Sequence, residues 1–369
     1  MQERDARAWG WVPLRRGLRS AVLAAAGLVA TCAPAAPPAA PAAQAPVPAA
    51  SASALPAAAP STAAAATTTP PLETVVLHTP GESLAGFAIS IAMDHGFFQE
   101  AGLDVSKQQM QTNTALAAML TGEVDYSETI GSVSRAIVAQ QAPLRIITVA
   151  ANGIGFSLMG GPQVREVADL KGKPVGTYAP RDTSVIGLEV ALRHYNVDLQ
   201  RDDITVVPLN TDLGLFAGLA SGTVGAAVIA PPYNFKAEKD LGATHLFDVN
   251  DYLAGAWTGL STSSRKLAEN PQQVRRMLRA NLRGLDYIFA NRPAVVQWVA
   301  GHFDVDEDVA GRAVDQMMRL LGRDGEAPPE ALDGLIDLAK QQAEVTDAVS
   351  RDQVFDFTPL REVRRELGR

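Results

Sequence analysis

From residue 74 onwards, short β-branched and apolar runs alternate with longer amphipathic runs. The short runs are typical of buried strands, and apolar positions recurring every three or four residues are typical of helices. The pattern predicts strands at 74–78, 124–126, 144–150, 175–178, 204–208 and 225–229, and one beginning near 103. It predicts helices at 84–98, 114–120, 133–140, 183–195, 213–221, 232–240, 271–290, 293–302, 308–321 and 329–342.

Strands that alternate with helices favour an α/β fold with mostly parallel sheets. The alternation restarts at about residue 175, which indicates two lobes, and after Ser264 it becomes almost wholly helical. Pro271 and Pro293 suit the first helical position, where proline costs no hydrogen bond. We therefore predict two α/β lobes followed by a helical C-terminal region.

Composition excludes several classes of site. The 369 residues are 47% apolar and carry a formal net charge of -8, without a basic stripe that would bind nucleic acid. The chain has one cysteine, so it has neither a disulfide framework nor a cysteine-rich metal site. The five histidines are not spaced as metal ligands. We expect no metal and no cofactor.

The N-terminus is typical of an export signal. Three arginines between residues 15 and 19 precede an apolar run, 21–30, that is too short to span a bilayer. Residues 28–32 resemble a bacterial lipoprotein processing box, although Thr31 departs from its usual small residue. This predicts a signal peptide at 1–31 and lipidation of Cys32. An ordinary signal peptide with an incidental cysteine, or a twin-arginine signal, are the alternatives.

Residues 32–72 consist almost entirely of alanine, proline, serine and threonine. Such a segment buries too little apolar surface to fold, which predicts a disordered tether. We expect an exported protein, lipid-anchored at the bacterial cell envelope, either periplasmic or on the outer face of the cytoplasmic membrane.

Four motifs follow one another in a characteristic order: FFQEAGLDV at 97–105, LTGEVDY at 120–126, DLKGKPVG at 169–176 and GTVGAAV at 222–228. In this order they resemble the solute-binding proteins of ABC importers for nitrate, taurine, alkanesulfonates and thiamine-precursor pyrimidines, the NMT1/THI5-like and SsuA/TauA-like proteins. Gly225 departs from the aspartate that is usual there.

The resemblance implies a two-lobed periplasmic-binding-protein fold, type II-like, that closes on its ligand about a hinge. It places lobe 1 at 73–158 plus 250–369, and lobe 2 at 159–249. The expected partners are a small-molecule solute and the membrane subunits of an ABC permease, and the protein is expected to be a monomer.

Loops that join strand ends to helix starts offer free backbone N–H groups and hydroxyls to a ligand. Three such loop groups should face the cleft, and Trp257 lies near the second hinge crossing. The candidate ligand-binding residues are Ser83, Leu84, Thr129, Ile130, Gly131, Ser132, Arg181, Thr183, Ser184, Pro232, Tyr233 and Trp257.

Each of these side chains also has an ordinary explanation. Ser83, Ser132 and Thr183 suit helix capping. Arg181 suits a solvated surface or an ion pair with Asp182; turned inwards, it would bind a carboxylate or sulfonate.

Core packing is the alternative for Tyr233 and Trp257. Asp212 opens a helix and is expected to be its N-cap. If Asp212 faced the pocket instead, the ligand would need a donor or a cation.

The sequence thus predicts an extracytoplasmic solute-binding protein without enzymatic activity. A sulfonate, a carboxylate and a heterocycle all remain open as its solute. The alternatives are a solute-sensing receptor for a signalling partner and an enzyme of the pyrimidine-synthesis type on the same fold.

Overall fold

The structure is a computed structural model that describes residues 71–369. The predicted signal peptide, Cys32 and nearly all of the predicted tether lie outside the described residues. The ten strands of the described part are β1 Glu73–Thr79, β2 Leu103–Gln109, β3 Tyr126–Thr129, β4 Leu144–Ala151, β5 Ser157–Gly160, β6 Pro174–Thr177, β7 Thr205–Pro208, β8 Ala226–Ile229, β9 Thr244–Asp248 and β10 Thr258–Ser263.

The predicted helices agree with the structure to within a few residues, except that 84–98 breaks into a 3₁₀ turn and two short helices. The pattern did not predict the short helices Ser264–Glu269, Arg351–Val354 and Thr358–Glu366. The helices of the described part are α1 Phe87–Asp94, α2 Phe97–Glu100, α3 Thr112–Thr121, α4 Gly131–Gln140, α5 Thr183–His194, α6 Asp212–Ser221, α7 Tyr233–Leu241, α8 Ser264–Glu269, α9 Pro271–Ala290, α10 Arg292–Phe303, α11 Glu307–Leu320, α12 Pro329–Ala343, α13 Arg351–Val354 and α14 Thr358–Glu366.

The strands form two five-stranded sheets of the same design. The first has the order β2-β1-β3-β10-β4, and the second has the order β7-β6-β8-β5-β9. In each sheet four strands point the same way and one, β10 or β5, runs antiparallel to its neighbours. The predicted two-lobed α/β fold with mostly parallel sheets is therefore confirmed.

Each antiparallel strand is the first strand that the chain enters after crossing from the other sheet. Residues 152–156 connect β4 to β5, and residues 249–257 connect β9 to β10. We call the part built on the first sheet lobe 1 and the part built on the second sheet lobe 2. The numerical boundaries given above for the lobes stay a prediction; β5, which begins at Ser157, lies in the second sheet.

Separate apolar cores support the two sheets. The largest cluster packs the first sheet against the C-terminal helices, including α9 and α12. In the second sheet, alternate residues of β8 enter different clusters: Ala226 and Val228 enter one, and Ala227 and Ile229 enter the other. Successive strand residues face opposite sides of a sheet, so both faces of β8 are covered. Each lobe is rigid enough to carry half of a site.

Candidate functional site

A cleft of about 610 Å³ lies between the lobes, at the carboxyl ends of their parallel strands. It is bordered by Pro80 after β1, Thr129 at the end of β3, Tyr178 after β6 and Asn210 after β7. This is the position at which open α/β sheets bind ligands, because loops and helix N-termini converge there. A cavity of this volume suits a small organic molecule.

Seven of the twelve candidate residues line the cleft. They are Ser83, Thr129, Ile130, Gly131, Ser132, Thr183 and Trp257. Ser83 also has the capping role, since its Oγ accepts a hydrogen bond from the Ala85 N–H at 3.3 Å. Ser132 and Thr183 are not caps, because Ile130 and Asp182 occupy the N-cap positions of α4 and α5. A direct role in ligand binding stays a prediction for all seven.

Four other candidates do not line the cleft; three of them are buried and Tyr233 is half-buried. Leu84 is fully buried in the lobe 1 core. The Ser184 Oγ donates to Asp182 and accepts from the Tyr178 N–H. Pro232 is the buried N-cap residue of α7, and the Tyr233 ring packs against two phenylalanines.

Arg181 lies on the surface, so the expectation that it reaches into the cleft does not hold. Its side chain is 76% exposed, and its Nη2 lies 3.8 Å from Glu344 of lobe 1. Its backbone carbonyl accepts a hydrogen bond from Arg135 Nη1, also of lobe 1, at 3.1 Å. The residue has φ of 65° and directs its side chain away from the α5 N-terminus, which Asp182 caps instead.

Asp212 is not the N-cap that the sequence suggested. Thr211 is the cap, accepting from the Gly214 N–H at 3.0 Å, and Asp212 is the first residue of α6. Its carboxylate is buried, accepts from the Tyr178 hydroxyl, and lies 3.2 Å from the Ala230 N–H donor. Burial raises the pKa of Asp212 to about 7, although these hydrogen bonds oppose the rise.

In lobe 2 the helix N-terminus that faces the cleft is already occupied. Asp182 Oδ1 accepts from the N–H groups of Ser184 and Val185, at 3.0 and 3.3 Å. These are the N–H groups that an anionic ligand would otherwise bind. The negative charge of Asp182 therefore takes the place of a ligand at α5.

In lobe 1 the corresponding helix, α4, begins without a side-chain cap. Gly131 and Ser132, in its first turn, both line the cleft. The two N-termini face each other, since a Cβ on Gly131 would lie 3.7 Å from Thr183 Oγ1. The uncapped end of α4 can donate hydrogen bonds to an acceptor on a ligand.

Glu128 and Arg135 are charged residues of the lobe 1 lining that are not among the candidates predicted from the sequence, and Glu128 is the buried one of the two. It is 9% exposed, and Lys107 Nζ lies 3.3 Å from its Oε1. Burial raises the pKa of Glu128, which Lys107 opposes. Gly86 leaves space for it, because a Cβ there would lie 2.9 Å from Glu128 Oε2 and the carboxylate would have to shift.

Two further buried polar groups in lobe 1 line the cleft. Thr258 is 7% exposed, and its Oγ1 makes no hydrogen bond within residues 71–369. Asn281, on α9, is 2% exposed and lines the same cavity. Buried polar groups are usually paired, so the unpaired hydroxyl of Thr258 is available to a ligand in the cavity.

The apolar wall of the cleft is aromatic. Phe156 stands 5.2 Å from the Tyr178 ring and 5.0 Å from the Trp257 ring, between ring centroids. Phe156 and Trp257 lie on the two crossing segments, 152–156 and 249–257. Gly155 lets these segments meet, because a Cβ there would lie 2.4 Å from Trp257. Residues of the two crossing segments therefore also form the aromatic wall of the cleft.

Away from the crossings, the lobes touch through α7 and α11. Lys239 pairs with Asp306 at 2.7 Å, and Arg312 pairs with Glu238 at 2.6 Å. These two ion pairs are exposed, and such pairs contribute little free energy each. The same interface also has a buried part, in which Asn234 Nδ2 donates to Gln316 Oε1 at 3.1 Å and the Tyr233 ring packs against Phe303.

Two lining residues that were not predicted, Glu128 and Asn281, nevertheless have recognisable features in the sequence. Glu128 follows two buried residues at the end of a strand, where a charge is unusual. Asn281 lies within the apolar stripe of α9, between Leu278 and Leu285. A polar residue on an otherwise apolar helix face indicates either a buried network or a site.

No group of three or more possible metal ligands occurs within residues 71–369. His78, in β1, is buried; its Nδ1 lies 2.8 Å from Ser127 Oγ and its Nε2 lies 3.2 Å from the Met110 carbonyl. The same residues contain no helix with the length and apolar character needed to cross a bilayer.

The sequence model of the family described as NMT1/THI5 like matches residues 86–294. No curated protein matches the chain.

Solved structures of similar fold include bacterial binding proteins. A protein from Bordetella bronchiseptica RB50 is 19% identical, with a TM-score of 0.67, covering 80% of this chain and 98% of its own. The periplasmic aliphatic sulphonate binding protein SsuA from Escherichia coli is 18% identical, with a TM-score of 0.61, covering 78% and 92%. The periplasmic nitrate-binding protein NrtA from Synechocystis PCC 6803 is 14% identical, with a TM-score of 0.63, covering 80% and 89%.

The desulfurization enzyme DSZB has the same fold at 17% identity and a TM-score of 0.56, covering 80% of this chain and 99% of its own. Since both binding proteins and an enzyme share the fold, the fold alone does not assign the chemistry.

Proposed function

The chain belongs to the NMT1/THI5-like family, and from that premise we propose that it is the solute-binding component of an ABC importer. It captures a small organic solute between its lobes and delivers it to the membrane permease. The observation that carries this proposal is the 610 Å³ cleft, bounded by both lobes and lined by unpaired polar groups of lobe 1.

Hinge closure follows from how the lobes are connected. Only the segments 152–156 and 249–257 join the two sheets, so a change in a few backbone angles there would move one lobe against the other. A ligand that contacts both lobes binds the closed arrangement more tightly than the open one, and this difference in affinity shifts the equilibrium towards closure. The permease would recognise that arrangement.

The N-terminal sequence places this activity outside the cytoplasm. We propose that Cys32 is lipidated, that residues 32–72 are a tether, and that the protein works as a monomer at the cell envelope. SsuA and NrtA are named as periplasmic proteins, which supports an extracytoplasmic location here.

Binding without chemistry fits the cleft better than catalysis. Its hydroxyls, such as those of Ser83 and Ser132, have neither histidine nor cysteine beside them among the described lining residues. The enzyme alternative on this fold uses clustered histidine and cysteine. A sensor for a signalling partner would use the same cleft and differs only in what it contacts once closed.

A thermal-melt screen tests the proposal. The panel contains sulfonates, carboxylates, nitrate, pyrimidines, flavins and aromatic acids. A solute that binds only the folded state stabilises it by about 3 kcal/mol at a hundred-fold excess over its Kd, and this stabilisation raises the melting midpoint. A midpoint shift without turnover of the solute supports a binding protein. Turnover of the bound compound would contradict it, as would a flat response across the panel.

A further inference from the structure

A lysine shared by two carboxylates lies behind the lobe 1 wall of the cleft. Lys107 Nζ is 3.3 Å from Glu128 Oε1 and 3.7 Å from Glu82 Oε2, and it donates a hydrogen bond to Ser90 Oγ at 2.9 Å. Glu82 has a second partner outside the cleft, because His302 Nε2 lies 3.2 Å from the same oxygen. Within residues 71–369, Glu128 has no such second charged partner beside Lys107 and therefore depends on that lysine for its ion pair.

Glu128 is the member of this cluster that reaches the cleft. Its side chain is 8% exposed. Lys107 and Thr79 lie near enough to oppose the rise in the pKa of Glu128, yet its Oε1 makes no well-aligned hydrogen bond within the described residues. A buried carboxylate short of donors costs free energy. A hydrogen-bond donor on the solute would remove that cost.

The other two charged residues of the described lining are already engaged. Asp182 caps α5. Arg135 is half-exposed, and its Nη1 donates across the cleft to the Arg181 carbonyl. The one cation of the described lining, Arg135, is therefore already engaged, whereas the carboxyl group of Glu128 borders the cavity, so the lining offers no free cation to an oxyanion.

Acceptors on the solute have partners nearby. The α4 N-terminus offers uncapped N–H groups three residues after Glu128. Thr258 pairs in register with Thr129, so its unpaired hydroxyl lies one strand away from the β3 end. The lobe 1 wall therefore matches a solute that donates to Glu128 and accepts from its neighbours.

We propose that Glu128 is a specificity-determining residue, which selects solutes presenting a nitrogen donor, such as an amine, an amidine or an amino-substituted ring, over oxyanions. The inference rests on the proposed function, because it names the class of solute for the same cleft.

The test compares three probes that share one planar ring. Benzamidine presents N–H donors and a positive charge, whereas benzoate and benzenesulfonate present oxyanions. Each is titrated against the full chain, and the Kd is measured by calorimetry. We expect benzamidine to bind and both oxyanions to bind at least tenfold more weakly.

Glu128→Gln is the test variant, and Glu82→Gln is its matched control. Both remove one carboxylate from the same lysine, but Glu82 is more than half exposed and does not line the cleft. A lost charge-assisted hydrogen bond weakens binding of benzamidine about 10- to 100-fold in Glu128→Gln. Glu82→Gln keeps the wild-type affinity.

A melting midpoint for probe-free Glu128→Gln at or above the wild-type value would establish that this variant folds. Oxyanions that bind as well as benzamidine would overturn the inference and leave the binding-protein proposal standing. An equal loss in both variants would overturn it too. The three probes could all fail while the wider panel yields a solute. The inference is then overturned if that solute lacks a nitrogen donor, or if Glu128→Gln binds it as well as the wild type does. A panel that yields nothing instead contradicts the proposed function.

Discussion

The two halves of the cleft share one strand–loop–helix architecture but differ in whether their polar groups have partners within the protein. In lobe 2, Asp182 caps the helix that faces the cavity, and Asp212 is bonded by Tyr178 and the Ala230 backbone. In lobe 1, the facing helix α4 has no side-chain cap, and the side chains of Glu128 and Thr258 keep unpaired atoms. The same strand–loop–helix geometry therefore carries paired carboxylates in lobe 2 and unpaired lining atoms in lobe 1; Thr177 Oγ1 of lobe 2 is also unpaired but does not line the cleft.

The difference suggests a division of labour. Unpaired buried groups cost stability and persist where function needs them. We infer that lobe 1 carries the recognition groups, and that lobe 2 supplies a preorganised surface that closes over the bound solute. Substitutions in lobe 2 test whether its internal network contributes to stability and whether its surface arginine contributes to solute binding.

The largest expected effect concerns Asp212, whose network completes the lobe 2 wall. Its pKa is 3.8 in the unfolded chain and about 7 in the folded protein, because burial disfavours its charge. Between these values the folded state holds a proton that the unfolded state has lost, so the contribution of Asp212 to stability falls as pH rises from about 4 to 7. The fall is at most about 4 kcal/mol.

Asp212→Asn removes this titration and keeps an acceptor for Tyr178 and Ala230. The free energy of unfolding, measured by denaturant at pH 4 and pH 8, should fall less between the two in the variant than in the wild type. Asp202→Asn is the control: because Arg201 holds the pKa of Asp202 at about 2, its contribution to stability changes below about pH 4, so this variant should keep the wild-type pH dependence between pH 4 and pH 8. Equal pH dependence in Asp212→Asn and the wild type would contradict the satisfied lobe 2 network.

The smallest expected effect concerns Arg181. Its side chain is on the surface and meets only an exposed glutamate, Glu344, at 3.8 Å. Arg181→Ala should change the free energy of unfolding by less than about 1 kcal/mol and leave the Kd for the solute unchanged. A tenfold weaker Kd, measured by calorimetry, would mean that Arg181 turns into the cleft on binding and that lobe 2 takes part in recognition.

Local patterns were sufficient to predict most elements of the fold. Helix α9 begins and ends as its periodicity and Pro271 indicate. Strands β5, β9 and β10 were missed. The sequence of β10, TGLSTS, is polar and contains glycine, yet every residue is buried between β3 and β4. Its strand character comes from partners more than a hundred residues away in sequence, which no local pattern shows.

The site was predictable in position but less so in residues. The loops at strand ends are encoded locally, and seven candidates in them do line the cleft. The direction of a side chain is not encoded locally. Arg181 turns outwards because Asp182 already serves the helix end, whereas Glu128 is turned inwards beside Gly86. Both outcomes depend on tertiary neighbours.

A matched pair of threonines tests most directly whether recognition lies in lobe 1. Thr258 in lobe 1 and Thr183 in lobe 2 both line the cleft, and Thr→Val keeps the shape of each while removing the hydroxyl. The measurement is the Kd of each variant for the solute found in the melting screen. We predict about tenfold weaker binding for Thr258→Val, with probe-free stability higher by about 1 kcal/mol, and no change for Thr183→Val. Weaker binding by Thr183→Val with wild-type binding by Thr258→Val would contradict the account and place recognition in lobe 2.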